Sequence, residues 1–245
     1  MCQILDIHPG YLGNQELINE TGFLHRLISE SEAANAERKN VNNQGPQTEC
    51  QDGWDAYRHY LWNLAEMKFR GIRHEYPEIP VLKNEMQDNL PVPLSSPAQQ
   101  LGYLYNRPDI DNGARIPLPK NSQQLWAQHK YSILARDVNL YRELGPGVAK
   151  MKSVTDFSKL AEHLTLSLRI QPNIGGIRNA LQHMWGYVSD RDEGNTRISE
   201  WSLQKLNHAI QDEVVKHGEK YLMHSTALTD LQTWLPESDL HQEFF

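Results

Sequence analysis

The stretch GWDAYRHYLWNLAEMKFRG, residues 53–71, contains the clearest helix pattern in the chain. Asp52 precedes it as a helix cap, Asp55 follows three residues later as a capping-box partner, and Gly71 provides a C-terminal stop. The apolar side chains that recur at helical spacing inside it are Trp54, Tyr57, Leu61, Leu64 and Ala65. This spacing predicts an amphipathic helix with one apolar face.

A second amphipathic helix is predicted on the N-terminal side, at about 14–34, after the turn HPGYLG at 8–13. Its apolar face consists of Leu17, Thr21, Leu24 and Ile28. The following polar segment, residues 33–53, contains Asn, Gly and Pro, and we predict a loop there.

On the C-terminal side, residues 76–120 contain most of the thirteen prolines, which prevent long regular elements. We predict an ordered connector in which Leu101, Tyr103, Leu104 and Tyr105 pack locally. Further helices are predicted at about 121–144, 154–170, 176–189, 199–217 and 225–235. Because no alternating run of β-branched residues occurs, the predicted fold class is all-α. The predicted organisation is two helical domains, 1–80 and 121–245, joined by a proline-rich connector at 81–120.

Composition excludes several classes of protein. Hydrophobic residues make up 39% of the 245 residues, and no apolar run approaches the roughly 20 residues of a membrane span, so no membrane partner is expected. Two cysteines without a CxxC pair argue against a disulfide framework or a zinc site. The eleven histidines form no HExxH pattern, so we expect no metal and no cofactor. Without a signal-peptide pattern, a cytoplasmic location is expected.

Charge is unevenly distributed along the chain. The net charge is −7, yet residues 119–191 carry ten Lys and Arg against five Asp and Glu. A basic block of this kind is typical of phosphate-backbone binding, and Lys130 and Arg136 are its predicted DNA contacts. A solvated helix face is an equally good interpretation of the same charges.

Two parts of the chain resemble known families. The segments HPGYLGNQELINE, residues 8–20, and GWDAYRHYLWNLAEMKFRGIRHEYP, residues 53–77, together resemble the endonuclease V type of pyrimidine-dimer DNA glycosylase, over about residues 1–80. The matching residues are Tyr11, Leu12, Gln15, Leu17, Glu20, His25, Tyr57, Arg58, His59, Glu66, Met67, Arg70, Gly71, His74 and Pro77. LWAQHKYSILARDVNLYRELG, residues 125–145, and LQHMWGY, residues 181–187, resemble the YbgA-like domain, a helical module of uncharacterised activity.

The first resemblance implies a DNA repair enzyme with glycosylase and abasic-site lyase activities. In that family the N-terminal amine attacks the deoxyribose C1′ of a damaged nucleotide and forms an imine, after which β-elimination nicks the strand. Here the nucleophile would be the α-amine of Cys2 once Met1 is removed, and its reference pKa of about 7.7–8.0 leaves it largely neutral near pH 8. The family's carboxylate aligns with Phe23, and its preceding arginine with Gly22.

A carboxylate is still needed to transfer protons, and Glu20, one turn before Phe23, is the predicted substitute. Asp6 and Glu66 are the alternatives. The predicted partner is damaged double-stranded DNA. The predicted DNA contacts in this region are His25, Arg26, Arg58, His59 and Arg70. Pairing with acidic residues inside the protein is the competing role for Arg58, His59 and Arg70, and an unpaired surface arginine is the competing interpretation of Arg26. His129, which shares a helix face with Leu125 and Ile133, is predicted to be a core histidine.

Two other functions stay open. The amine and thiol of Cys2 together would close on the aldehyde of an abasic site as a thiazolidine, so the protein would capture such sites instead of cleaving them. Alternatively, loss of the carboxylate at Phe23 leaves a non-catalytic protein that binds DNA lesions or acts as a scaffold.

Overall fold

The computed structural model describes residues 5–39, 56–76, 95–106, 113–189 and 198–235, and the side chains of α1 as far as Glu30. All regular elements in these residues are helical, with no strand among them, which confirms the all-α fold class. The α-helices are α1 (Asn14–Lys39), α2 (Ala56–Phe69), α3 (Pro97–Tyr105), α4 (Ser122–Arg136), α5 (Val138–Gly147), α6 (Val154–Leu168), α7 (Ile174–Trp185), α8 (Leu203–His217), α9 (Lys220–Met223) and α10 (Ala227–Asp230). None of the helices in this described part is long and apolar enough to cross a bilayer.

The N-terminal segment turns into α1 as the sequence predicts. A short 3-10 helix, Pro9–Tyr11, begins where the His8 imidazole Nδ1 accepts the N–H of Gly10 at 3.0 Å. Helix α1 then continues to Lys39, so the loop prediction was wrong over 33–39. The residues there, AANAERK, have high helix propensity, which outweighs the single asparagine. The rest of the predicted loop lies outside the described residues.

Helix α2 ends as predicted but buries a different face. Gly71 adopts a left-handed φ of 67°, and the N–H of Ile72 donates to the carbonyl of Met67, which closes the helix. The predicted apolar positions Tyr57, Leu61 and Leu64 are only partly buried. The side chains buried instead include Arg58, His59, Tyr60, Trp62, Asn63, Glu66 and Met67. This reversal follows from α2 packing against α1 on one side and against α10 on another. The predicted caps Asp52 and Asp55 lie outside the described residues.

The predicted helix at 121–144 is divided in two. Asp137 has an extended φ of −145° and ends α4, while its carboxylate accepts the N–H groups of Asn139 and Leu140 and so caps α5. The last predicted helix, 225–235, is likewise made of α10 and a 3-10 helix, Leu231–Trp234. The capping carboxylate of Asp137 therefore ends a helix that periodicity alone would make continuous.

Helix α4 lies at the centre and packs against α5, α6 and α7. The approach to α7 is so close that a Cβ on Gly176 would lie 1.9 Å from the carbonyl oxygen of Ala135. Only glycine fits at that crossing. On this side α4 shares a hydrophobic cluster with α7, α8 and the segment 222–231.

A second hydrophobic cluster joins distant parts of the chain. Its buried members are Leu5, Ile7, Tyr11, Leu12, Leu17, Met67, Leu101, Leu104, Ile116, Leu125, Ile133, Leu144, Val148, Leu160, Ala161 and Leu164. Leu101 and Leu104 of α3 thus pack in a cluster shared with α6, and Tyr103 and Tyr105 remain about half exposed. Side chains from both predicted domains pack together, while the boundaries at residues 80 and 121 stay a prediction.

Candidate functional site

The carboxylate of Glu20 is buried next to the start of the described chain. Its residue is 7% exposed, and its Oε1 accepts the backbone N–H of Leu5 at 3.2 Å. Burial raises the pKa of Glu20 to about 7, although the Leu5 hydrogen bond works in the opposite direction. Glu20 forms no ion pair with any described residue. The carboxyl group is therefore close to half protonated at neutral pH.

The segment next to Glu20 is held in place by neighbouring contacts. The backbone N–H of Asp6 donates to Oε1 of Gln100 on α3 at 2.6 Å. The Asp6 carboxylate accepts a hydrogen bond from Arg169, at the end of α6. Burial raises the pKa of Asp6, and Arg169 and Arg58 partly offset this effect. Asp6 is thus already paired, which makes it a weaker candidate than Glu20 for proton transfer.

The other alternative carboxylate, Glu66, is part of a buried ionic network. Its Oε1 accepts hydrogen bonds from Arg70 and Arg115 at 2.8 and 2.7 Å, and its Oε2 accepts from Arg115 and Thr229, both at 2.8 Å. Burial opposes ionisation of this fully buried group, but Arg115 and Arg70 outweigh it and hold the pKa of Glu66 well below its usual range. Glu66 is therefore charged at neutral pH, and both of its carboxylate oxygens are bonded to described residues.

Arg70 connects this network to the N-terminal turn. Besides Glu66, its guanidinium donates to the carbonyl oxygens of Pro9, Gly10, Leu12 and Gly113. These bonds occupy the whole guanidinium, so Arg70 stabilises the fold, and the DNA contact predicted for it is not available in this arrangement.

The side chains of Arg58 and His59 are also buried in the protein interior. Arg58 donates to the carbonyl oxygen of Arg169 and lies 5.1 Å from the ring centroid of Trp62. His59 is 2% exposed, and burial lowers its pKa to about 3, so the imidazole is neutral. A groove for the DNA backbone requires exposed cations, and these two side chains do not provide one.

The remaining predicted DNA contacts lie in different places. Arg26 is exposed on α1, and His25 lies between the rings of Tyr60 and Tyr76, at 5.9 and 5.7 Å. In α4, Arg136 is buried in an ion pair with Asp230, at 2.8 Å. Cys2 lies outside the described residues. Of the predicted residues, only His25 and Arg26 thus lie with Glu20 on one helix and keep part of their surface exposed.

Lys130 and His129 are neighbouring residues of α4 with different surroundings. The Lys130 Nζ is 4.7, 5.7 and 4.9 Å from the ring centroids of Tyr131, Tyr187 and Tyr221. His129 is buried, its Nδ1 lies 2.9 Å from the carbonyl oxygen of Leu125, and burial lowers its pKa to about 4. The core-histidine prediction for His129 is confirmed, while Lys130 keeps an aromatic environment suited to cation–π contacts.

Asn63 is the polar residue of α2 that sequence reasoning missed. Its side chain is fully buried, and neither its amide nitrogen nor its oxygen has a hydrogen-bond partner among the described residues. Met67 accepts a hydrogen bond from Thr21 of α1, and Tyr60 packs on His25 of α1. Because positions 60, 63 and 67 share one helix face, Asn63 faces α1 near the Glu20 turn. An unpaired buried amide lowers the stability of the folded state, and such groups are uncommon in proteins.

Arg115, Thr229 and Asp230 were also missed. They come from a proline-rich segment and from the end of the helical region, where no periodicity or motif marks them. No group of His, Cys, Asp and Glu in the described part of the chain is arranged to hold a metal ion. What the arrangement offers chemically is one carboxyl group, Glu20, with a pKa near 7.

These features define an all-α protein in which a buried carboxyl group, Glu20, has a pKa of about 7 and lies beside the N-terminal segment. Residues 130–230 match the family model described as a protein of unknown function (DUF1722), so the expected YbgA-like domain is present over those residues. No curated protein and no solved structure matches the chain. None of these comparisons supports the resemblance of residues 1–80 to the glycosylases, which stays a prediction.

Proposed function

We propose that the protein is a DNA repair enzyme in which the α-amine of Cys2 is the nucleophile and Glu20 transfers the protons. It would excise a damaged base, such as one in a pyrimidine dimer, and cleave the resulting abasic site. The observation that supports the proposal most directly is that Glu20, with a pKa of about 7, accepts a hydrogen bond from the backbone N–H of Leu5. Leu5 is three positions after Cys2 in the chain, a length that spans at most about 11 Å.

The two pKa values suit this pairing. An α-amine with a reference pKa of about 7.7–8.0 is partly neutral near pH 7.5, where a carboxyl group of pKa about 7 exists in both forms. An acid and a base that are each available at the working pH are what amine catalysis requires. Glu66, with its lowered pKa, is ionised at this pH, and Phe23 has no ionisable group, so neither supplies both forms.

The proposed steps use Glu20 alternately as an acid and as a base. The neutral amine attacks C1′, the bond to the base breaks, and protonated Glu20 gives its proton to the leaving base. The Glu20 carboxylate takes a proton from the new ammonium group and passes it to O4′ as the sugar ring opens to the iminium. The carboxylate then removes a C2′ proton, and the 3′ phosphate leaves.

The displacement of the carboxylate from position 23 to position 20 is compensated by the chain that faces it. One helical step of three residues is about 4.5 Å along the axis. The bond from the Leu5 N–H to Glu20 lies at the earlier turn of α1, and the contacts of Asp6 with Gln100 and Arg169 fix the next residue of the segment. We infer that the nucleophile and its carboxylate have shifted together.

The test combines borohydride trapping with intact mass spectrometry. The purified chain is first shown by mass to begin at Cys2, and is then incubated with an oligonucleotide that contains an abasic site and with one that contains a cyclobutane thymine dimer. A reductively trapped adduct on the N-terminal peptide, with strand cleavage when borohydride is omitted, is expected. An adduct that forms without reductant, and is lost in Cys2→Ser, would replace the proposal with thiazolidine capture.

Variants on one helix separate Glu20 from a general effect of charge. Glu20→Gln should slow strand cleavage by about 10²-fold or more, because it removes the proton-transferring group. Glu30→Gln, an exposed glutamate of the same helix, is the matched control and should cleave at the wild-type rate. No adduct on either oligonucleotide from a chain that begins at Cys2, or unchanged cleavage by Glu20→Gln, would overturn the assignment.

A further inference from the structure

A surface pocket of about 580 Å³ lies where α4 and α6 begin, away from Glu20. Its lining includes Tyr105, Lys120, Ser122, Lys152, Val154 and Phe157. Pockets of this size typically hold a small organic ligand. None of these residues takes part in the chemistry proposed for the N-terminal segment.

Two helix N-termini meet at this pocket. Asn121 and Ser153 are the N-caps, and their side chains accept the N–H groups of Gln124 and Asp156. The N–H groups of the first two residues of each helix, 122–123 and 154–155, form no hydrogen bond within the described chain. Such groups carry partial positive charge and are natural ligands for an anion.

The charged side chains at the pocket have the same sign. Lys120 and Lys152 are exposed, and neither forms an ion pair with a described residue. No acidic side chain of the described residues belongs to the lining. Asp156, in the first turn of α6, lies outside the lining, and its carboxylate accepts the N–H of Ser153. The lining therefore contributes two positive side chains beside the N-termini of α4 and α6.

Ser122 gives independent evidence for a polar ligand. The residue is 2% exposed and lines the pocket, yet its hydroxyl forms no hydrogen bond within the described part of the chain. Buried hydroxyl groups are normally hydrogen-bonded. A ligand oxygen in the pocket would supply the missing partner.

The opposite wall is apolar and includes aromatic rings. Tyr105 is 42% exposed at the end of α3, and its hydroxyl donates to the carbonyl oxygen of Pro119, which fixes the ring at the pocket. Phe157 is partly buried, and Val154 is 83% exposed. Exposed apolar side chains in a pocket with two lysines suit a ligand with a flat ring and an anionic group.

We propose that this pocket binds a mononucleotide, with its phosphate at the two helix N-termini and its base against Tyr105 and Phe157. Lys120 and Lys152 provide the charge that neutralises the phosphate, and Ser122 donates a hydrogen bond to a phosphate oxygen. The inference does not depend on the chemistry at Cys2 and Glu20.

The test is isothermal titration of the full chain with AMP, adenosine and inorganic phosphate as separate probes. AMP should bind more tightly than either of its parts. The double variant Lys120→Gln/Lys152→Gln should weaken AMP binding at least about tenfold, because two charge-assisted contacts are lost. The matched control Lys150→Gln/Lys159→Gln removes the same charge from neighbouring lysines outside the lining and should leave the affinity unchanged.

A second pair of variants tests the ring. Tyr105→Leu should weaken binding of AMP but not of inorganic phosphate, whereas Tyr103→Leu, on the same helix and outside the lining, should change neither. Circular dichroism checks that each variant is folded. Failure of AMP to bind at millimolar concentration, or equal affinity in the Lys120→Gln/Lys152→Gln variant, would overturn the proposal. Tighter binding of a 5′-phosphorylated trinucleotide through the same lysines would also overturn it, in favour of a nucleic-acid strand.

Discussion

Glu20 on α1 and Glu66 on α2 are both buried glutamates, yet their protonation is opposite. Glu66 accepts hydrogen bonds from two arginines and a threonine, and its pKa is held well below the usual range. Glu20 accepts one backbone N–H, and burial raises its pKa to about 7. Burial alone favours the neutral acid, so the neighbouring cations decide which glutamate is a fixed charge and which exchanges protons.

The largest effect should come from removing the cation that makes Glu66 a fixed charge. Arg115→Met leaves a buried carboxylate with only Arg70 as counter-charge and should lower the free energy of unfolding by about 3–5 kcal/mol, measured by urea denaturation at pH 7. Arg73→Met, at an exposed arginine, should change it by less than about 0.5 kcal/mol. A loss below about 1 kcal/mol for Arg115→Met would mean that the network does not stabilise the fold.

The second effect is the pH dependence that Glu20 adds to the free energy of unfolding. Its pKa is about 4.5 in the unfolded chain and about 7 in the folded one, so folding takes up a proton between these pH values. The stabilisation that comes from protonated Glu20 is complete below about pH 4.5 and is lost as the pH rises through 7. The difference between the two pKa values corresponds to about 3 kcal/mol.

This contribution is measured as the difference in unfolding free energy between the wild type and Glu20→Gln from pH 4.5 to 9. Taking the difference removes the opposite pH dependence of His8 and His129, whose pKa values are lowered by burial. The free energy of unfolding of Glu30→Gln should change with pH as that of the wild type does. A difference that stays constant between pH 5 and 8 would show that Glu20 has an ordinary pKa.

The smallest effect contrasts two buried amides. Asn63→Leu removes a carboxamide that has no hydrogen-bond partner in the described part of the chain, and it should raise the free energy of unfolding by about 1 kcal/mol. Gln100→Leu removes an amide bonded at both ends, to the N–H of Asp6 and the carbonyl of Ser95, and should lower it by about 1–3 kcal/mol. Thermal unfolding of the two variants measures whether each is more or less stable than the wild type. Destabilisation by Asn63→Leu would mean that its amide contributes to the fold.

The helices were predictable wherever local signals determine them. The predictions of about 154–170 and 176–189 correspond to α6 and α7 within a few residues, because caps and apolar spacing act over one or two turns. The stop at Gly71 was equally local. Asp137 misled the prediction because its capping carboxylate breaks a segment whose apolar spacing continues.

The candidate site was predictable only in part. Glu20 came from a motif, and its burial and its bond to Leu5 are what make it a credible proton-transfer group. Asn63 escaped because nothing in the pattern of α2 distinguishes a buried asparagine from an exposed one. Arg58, His59 and Arg70 were placed at a DNA surface, and the structure turns them inward, where they pair with carbonyl groups, a carboxylate and an aromatic ring.

The amino-acid sequence by itself determined the all-α class and most of the helices, because helix propensity, capping and periodicity depend on residues a few positions apart. Glu20 became a candidate through the resemblance of residues 1–80 to the glycosylases. Only the tertiary structure decided which polar side chains lie inside. Glu66 is bound by Arg115 and Thr229, which are 49 and 163 residues away, and no local pattern records such partners. Glu20 has no arginine partner of this kind among the described residues, and this difference in long-range pairing leaves one glutamate charged and the other near neutrality.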